Sequence, residues 1–453
     1  MRLLIKRIAL VRSVTRTPGL PRRSAWRVYV SKNTSFVFVI PIPPLAGNPL
    51  SIIVCNLRRL TRGTRHLDPD ADEVFLRATR IMSETPPTSV RALRARTREL
   101  IRGWKAEGRF MPRNDAWMRG YDLAISRDLG AHGLLGLSWP TEYGGAGLPA
   151  VARLAVTEEL LRAGAPIAAH WTAERQIGPA IIHYGNERLK SEILPGIIRA
   201  DITFSLGMSE SEAGSDLAAL QTRATQVDGG WSISGKKIWT THAHRSTHLY
   251  VLARTGKGTN HQNGLSEFVV AMDASGIIVQ PIYDMAGEHH FNEVFLNEVY
   301  VADEFVIGQV GNGWSQVTEQ LSFERGGAER YLSTYPLLAE LIRVVGKSPD
   351  RAATERVGSL IARLLAIRHL AWAVTTEFDA GRAPVTAAAK LKYLGTEFEK
   401  EVVETGRYVL DNIDESGALG LLDDAVLCSP AGSIRGGASE ILLTLIARAE
   451  NSK

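Results

Sequence analysis

The sequence predicts an α+β fold: an N-terminal α-helical domain, a middle antiparallel β domain and a C-terminal helical bundle. Two changes of period predict it. Apolar residues recur at three and four from Val90 to about residue 201, alternate from 202 to 304, and return to helical spacing after Trp314. Length bounds the answer, because 453 residues allow roughly two to four structural units.

Composition narrows the class. A hydrophobic content of 45% with 22% charged residues is that of a globular chain. Cys55 and Cys428 are the two cysteines, too few for a disulfide scaffold and without metal spacing. The net charge of +5 is unevenly spread. Residues 1–81 hold 15 Lys+Arg against 4 Asp+Glu, while the remainder holds 38 against 44. The body is therefore mildly acidic, and nucleic-acid binding is not expected of it. No run of about 18 uncharged apolar residues occurs, so no membrane span is expected.

The chain divides into four expected pieces. Residues 1–81 read as a poorly structured basic extension, since Pro41, Pro43, Pro44, Gly47 and Pro49 break its apolar stretch. Met82 would make a natural start, and a targeting segment fits poorly because the apolar part is Pro-rich and far from the beginning. Residues 85–201 read as the N-terminal helical domain. Val90, Leu93, Arg94, Thr97, Leu100 and Ile101 trace its first helix, and further helices follow over 117–132, 151–164, 173–184 and 189–199. Between them, Trp139-Pro140 and Gly144, Gly145 and Gly147 make a turn.

Residues 202–304 read as the β domain, with strands at 248–254, 267–272, 277–281, 291–296 and 298–301. His289 and His290 suggest a metal, yet no third ligand stands near, so they read as rim or packing residues and no metal is expected. Residues 310–453 read as the C-terminal bundle, with long helices over 355–380 and 385–410 and a last helix over 438–449.

One stretch carries the chemistry. Met208-Ser209-Glu210 through Ala213-Gly214-Ser215-Asp216 is a small polar loop whose backbone can approach a planar or anionic ligand. The turn Asp228-Gly229-Gly230 and the alternating run from Trp231 to Gly235 read as a hairpin. It would return Lys237-Ile238-Trp239-Thr240-Thr241 to the side of the Ser209 loop.

This stretch resembles the acyl-CoA dehydrogenase family, whose members carry a TEPxAGSD-like loop and a K-x-W-I-T strand end. The Trp139–Gly147 turn and Gly185, Lys190, Leu194, Pro195 and Ile197 match further family segments. The resemblance runs from about residue 85 to 448. It implies the acyl-CoA dehydrogenase-like fold, FAD as cofactor, an acyl-CoA substrate and electron-transfer flavoprotein or a similar acceptor. It implies that Met208, Ser209, Trp239 and Thr241 contact the flavin and that Ser215, Arg325 and Gly436 meet the substrate. Ser209 and Ser211 stand where Thr and Pro are usual.

The family removes a proton alpha to the thioester and passes a hydride from the beta carbon to flavin. Most members carry the base in a Y-E-G-T-S-x-I loop, but here Gly436 stands at the Glu position of Ile434-Arg435-Gly436-Gly437-Ala438-Ser439-Glu440. Isovaleryl- and long-chain-type members place it in an L-x-x-E-R helix segment, matched by Leu321-Ser322-Phe323-Glu324-Arg325. Glu324 is therefore the expected catalytic base. The family's R-x-x-F-G segment is replaced by Gly346-Lys347-Ser348-Pro349-Asp350, and its Q-x-x-G-G-x-G motif is eroded to Ser416-Gly417-Ala418-Leu419-Gly420. Both act across a subunit interface, so a homo- or hetero-oligomer is expected, as in the heteromeric steroid-degrading members. The alternatives are a half-site subunit that completes a partner's FAD site, or a related flavin oxygenase. The expected compartment is the cytoplasm.

Overall fold

The computed structural model describes residues 88–451 apart from 257–261, 348–349 and 412–415, together with three strands nearer the N-terminus. The side chains of residues 88, 89 and 322–324 lie outside that description. Within residues 1–69, β1 (Arg27–Val30), β2 (Phe36–Val39) and β3 (Ile53–Cys55) pair antiparallel in chain order. The rest of the expected 1–81 extension lies outside the described residues.

The second unit opens with helices α1 (Thr88–Ala106), α2 (Ala116–Arg119) and α3 (Leu123–Ala131). The single helix expected over 117–132 is thus broken. A side chain at Gly120 would lie 2.8 Å from the Ala116 carbonyl and 2.8 Å from Pro166, so the chain must turn there. Asp122 then caps α3 by accepting from the Ile125 amide at 2.9 Å. The buried α4 (Ala150–Arg162) follows, then α5 (Ala168–Thr172), which runs through a π turn at Ala173–Ile177 into α6 (Gly178–Tyr184). The last helix of this part is α7 (Glu187–Ile198).

The period-two region forms one sheet from β4 (Phe204–Gly207), β5 (Arg223–Val227), β6 (Gly230–Lys237), β7 (His248–Arg254), β8 (Leu265–Ala271), β9 (Ile277–Tyr283), β10 (His289–Ala302) and β11 (Val306–Ile307). The order is β11-β8-β7-β5-β6-β10-β9, mostly antiparallel, with β4 beside β7 in parallel. The β5–β6 hairpin pairs Val227 with Gly230 across Asp228-Gly229, and Gly229 supplies the positive φ of 68°. The two strands expected over 291–301 are one strand, β10, carrying a bulge between Leu296 and Val299 where Glu298 has φ 52°.

The C-terminal bundle comprises α8 (Gly313–Arg325), α9 (Tyr335–Val345), α10 (Arg351–Asp379), α11 (Val385–Leu410), α12 (Ser416–Gly432) and α13 (Ser439–Asn451). Helix α11 packs on the other five. Helix α12 was not expected, because Gly417, Gly420 and Pro430 hide its pattern. By length and composition α10 could cross a membrane. In the fold it packs against α4, α9 and α11.

A buried ion cluster joins the bundle to the N-terminal helices. The fully buried Glu158 of α4 accepts from Arg368 Nε of α10 at 2.8 Å and from the Tyr331 hydroxyl at 3.0 Å, and it pairs with Arg94 of α1. Burial alone would push the Glu158 carboxyl up, but Arg368 and Arg94 outweigh it and hold the group at about 2. Stability from this group is complete above the ordinary Glu value and falls as pH drops toward 2. Glu158→Gln should cost about 3–5 kcal/mol, because it removes the buried charge that Arg368 and Arg94 both face, although Arg94 keeps Glu159 at 2.6 Å. Thermal unfolding checks this, and an unchanged melting temperature would mean the cluster does not hold the two helical parts together.

Candidate active site

The Ser209 loop and the end of β6 meet as the hairpin requires. The Ile238 amide donates to the Ser209 carbonyl at 3.0 Å. Beneath them lies an ion pair absent from the sequence reading. Lys237, with no exposure, donates to Glu210 Oε1 at 2.9 Å and to the Met208 carbonyl at 3.1 Å. Glu210 also accepts from the Gln221 and Thr222 amides at 2.6 and 2.9 Å. One carboxylate therefore ties the loop to the starts of β5 and the end of β6. Burial pulls the Lys237 ammonium down to about 8 against the opposing pull of Glu210, so the pair is still ionised at neutral pH.

Past Lys237 the backbone is strained. Trp239 and His242 adopt φ 59° and 57°, a region that side chains of this bulk rarely enter. Trp239 is 55% exposed, a large apolar surface for a residue beside a buried strand. Its ring meets Phe291 edge-on at 5.7 Å. Thr241 is half-buried and His242 is buried. His242 Nε2 donates to the Met118 carbonyl at 2.7 Å, which leaves Nδ1 as a buried acceptor with no partner among the described residues. Burial pushes this ring down to about 3, so it is neutral. Gly214 and Ser215 are exposed, and a side chain at Gly214 would meet only open space, so nothing in the chain itself requires a glycine there.

The last turn of α8 meets the loop before α13. Arg325 Nε donates to the Gly436 carbonyl at 3.2 Å, and the Arg325 guanidinium sits 3.3 Å from where a Gly437 side chain would begin. Glu324 precedes Arg325 in that turn of α8, and its side chain lies outside the described residues. Gly436 and Gly437 have φ 69° and 104°. A Glu at Gly436 would have to adopt the left-handed conformation, at a cost of roughly 1–2 kcal/mol.

A cleft opens beside Thr241 and Arg435, and neither Arg325 nor Gly436 lines it. Thr241, His242 and Leu206 line it from the β domain, Trp117, Trp171 and Arg175 from the helices, and Arg330 and Arg435 from the bundle. Met208, Ser209 and Trp239 are not among its lining residues. The sequence reading missed the aromatic and guanidinium lining; Arg435 beside Gly436 was its one visible signal. Among the described residues no group of three or more His, Cys, Asp or Glu is arranged to hold a metal ion. His289 and His244 stack at 3.9 Å, and both contact Asn292.

Comparison with known proteins decides the class. The family description "Acyl-CoA dehydrogenase, N-terminal domain" matches residues 90–201, and "Acyl-CoA dehydrogenase, middle domain" matches 205–299. Acyl-CoA dehydrogenase IpdE1 of Mycolicibacterium smegmatis is 33% identical over 342 residues, 72% of this chain and 86% of the relative. The chain belongs to the acyl-CoA dehydrogenase family.

Two solved structures carry the same fold. The Tcur3481-Tcur3483 steroid ACAD superposes with a TM-score of 0.71 at 26% identity, covering 82% of this chain and 99% of that one. The ChsE4-ChsE5 complex from Mycobacterium tuberculosis gives 0.67 at 25% identity, with 82% and 99% covered. Acyl-CoA dehydrogenases are FAD-dependent oxidoreductases. The residues present fit a flavin beside the Ser209 loop: the exposed, strained indole of Trp239 and the open approach at Gly214 are unexplained by the chain alone.

Helix α8 is set against the sheet by a second buried group. Glu267 of β8 accepts from Gln320 Nε2 of α8 at 2.8 and 2.9 Å. Burial pushes its carboxyl up to about 8, so it is mainly protonated at neutral pH. The folded state then binds more protons than the unfolded chain between about pH 4.5 and 8, and stability falls as pH rises through that window. Glu267→Gln keeps the shape and removes the proton, so the fall should flatten. Melting curves at pH 5 and pH 8 check this; an unaltered pH dependence would mean Glu267 is ionised in the fold.

Proposed function

We propose that the protein dehydrogenates an acyl-CoA between its alpha and beta carbons, with Glu324 as the base that takes the alpha proton. The observation that carries the reading is the hydrogen bond from Arg325 to the Gly436 carbonyl, which sets the end of α8 beside the loop where most relatives keep their base. The left-handed φ of Gly436 favours glycine there, and the carboxylate next to Arg325 is the one left to serve.

FAD would be held at its ring end by Met208, Ser209, Trp239 and Thr241, with Trp239 as an aromatic wall. When bound it supplies the acceptor for the beta hydride. The chain's own part is to fix the thioester over that ring, exclude water with Trp117 and Trp171, and accept one proton at a Glu324 carboxylate oxygen. Ser215, exposed on the loop, is the expected contact for the CoA portion. The cleft's two tryptophans suit a bulky acyl group rather than a slender chain.

A second reading has a specific motive. The segment that covers the flavin diphosphate in relatives is absent around Gly346 and Lys347, and the motif at Ser416–Gly420 lies in the first turns of α12. A partner chain would then complete the FAD site, and the two-chain names of the relatives above support that arrangement.

The visible spectrum of the protein separates the two. Purified alone, it should be yellow and should bleach anaerobically on adding a bulky acyl-CoA. A colourless protein that turns yellow only when co-purified with a homologue would favour the half-site reading. In either case Trp239→Ala should lower FAD retention, because it removes the wall of the ring site. Unchanged FAD content in that variant would mean the ring does not sit there.

A further inference from the structure

The segment that carries Trp239 is held by one buried amide, that of Asn292. The β6–β10 ladder pairs Lys237 with Val294, and beyond it the Thr240 amide donates to the Asn292 carbonyl at 2.9 Å. Three steps from Lys237 to Thr240 thus oppose two from Val294 to Asn292, so one residue is extra. Trp239, with φ 59°, takes that place and is turned outward. Pairing resumes where the His242 amide donates to the His290 carbonyl at 2.7 Å. The Asn292 side chain, with no exposure, closes the bulge: its Nδ2 donates to the Thr240 carbonyl at 2.9 Å. Its Oδ1 lies 3.1 Å from His244 Nδ1 and 2.8 Å from His289 Nε2. An amide oxygen only accepts, so both ring nitrogens carry protons and the two tautomers are set. The rings stack at 3.9 Å with planes 19° apart. Turning the amide over would force both rings to change tautomer and would set the amide oxygen against the Thr240 carbonyl. The two histidines therefore fix which way Asn292 faces.

We propose that Asn292 is a positioning residue for the flavin ring, and that His244 and His289 are the groups that orient it. This rests on the reading of Trp239 as the wall of the ring site. Asn292 acts through Thr240. With that carbonyl satisfied by a side chain, the backbone leaves the ladder for one residue without orphaning a buried acceptor. A left-handed φ is unfavourable for a residue as bulky as Trp239 and persists only where its neighbours over-determine it. Lys237 and Glu210 pin the chain before Trp239, and Asn292 pins it after. Asn292 as simple packing would leave two imidazoles converging on one oxygen without a purpose, one of them, His244, on an exposed residue.

The test uses the full chain, with any partner it purifies with. Amide hydrogen exchange is followed across residues 237–244, and the dissociation constant for FAD is measured beside it. Asn292→Ala should raise exchange at Thr240 and His242 by about 10-fold or more, as loss of a buried hydrogen bond does, and weaken FAD binding by a similar factor. Exchange in β7 and β8 should stay as it was. His244→Ala with His289→Ala should act in the same direction. His244→Asn with His289→Gln, which sets an amide N–H near the place of each ring N–H, should restore the behaviour of the unaltered protein. If Asn292→Ala fails to fold, the two histidine pairs, loss and rescue, still decide. Unchanged exchange at Thr240 in either loss variant would overturn the proposal. So would exchange raised evenly across the β domain, the mark of a residue that only supports the sheet. Faster exchange confined to residues 237–244 with unaltered FAD binding would count against the ring site at Trp239 and leave Asn292 as the residue that shapes the bulge.

Discussion

The candidate site depends on one buried ion pair. Lys237 and Glu210 come from opposite sides of the β5–β6 hairpin, and neither could be buried alone without severe cost. Together they fix the Met208–Ser209 backbone against the strand end that carries Trp239 and Thr241. Two loop amides, from Gln221 and Thr222, complete the Glu210 carboxylate. The strained Trp239 and His242 conformations persist because this clamp and the Asn292 backbone hold the segment from both sides. A rigid, strained ledge with an exposed indole is what a flat ring ligand needs.

The second constraint is the approach of α8 to the glycine loop. It joins two segments far apart in the sequence, with Arg325 Nε on the Gly436 carbonyl at 3.2 Å. Glu267 and Gln320 set the distance of that helix from the sheet, and Arg325 sets its end against the loop. The family's chemistry needs one base and tolerates either source. The left-handed backbone at Gly436 and Gly437 favours glycine in that loop.

Much of this was legible in the residues. The switch of period located the β region, and Asp228-Gly229 gave the hairpin because few residues other than glycine accept its geometry. The break at Gly120 was not legible, since it answers to Pro166 in a distant segment rather than to local propensity. Helix α12 was hidden by two glycines and a proline that tertiary packing on α11 overrides. In the site, the Trp239 strand end could be read from spacing. Lys237 and Glu210 could not be paired, because their meeting depends on register. The guanidinium cluster was invisible for the same reason: Arg175, Arg330 and Arg435 come from three segments that only the folded chain brings to one indole.

The measurement that bears most directly on the central claim is anaerobic stopped-flow reduction of the flavin by a saturating acyl-CoA in Glu324→Gln. The variant keeps the side chain's shape and loses its capacity to take the alpha proton. The account predicts flavin reduction slowed by about 10²–10⁴-fold, with FAD content and thioester binding retained. Reduction at the unaltered protein's rate would contradict it and move the base to another chain.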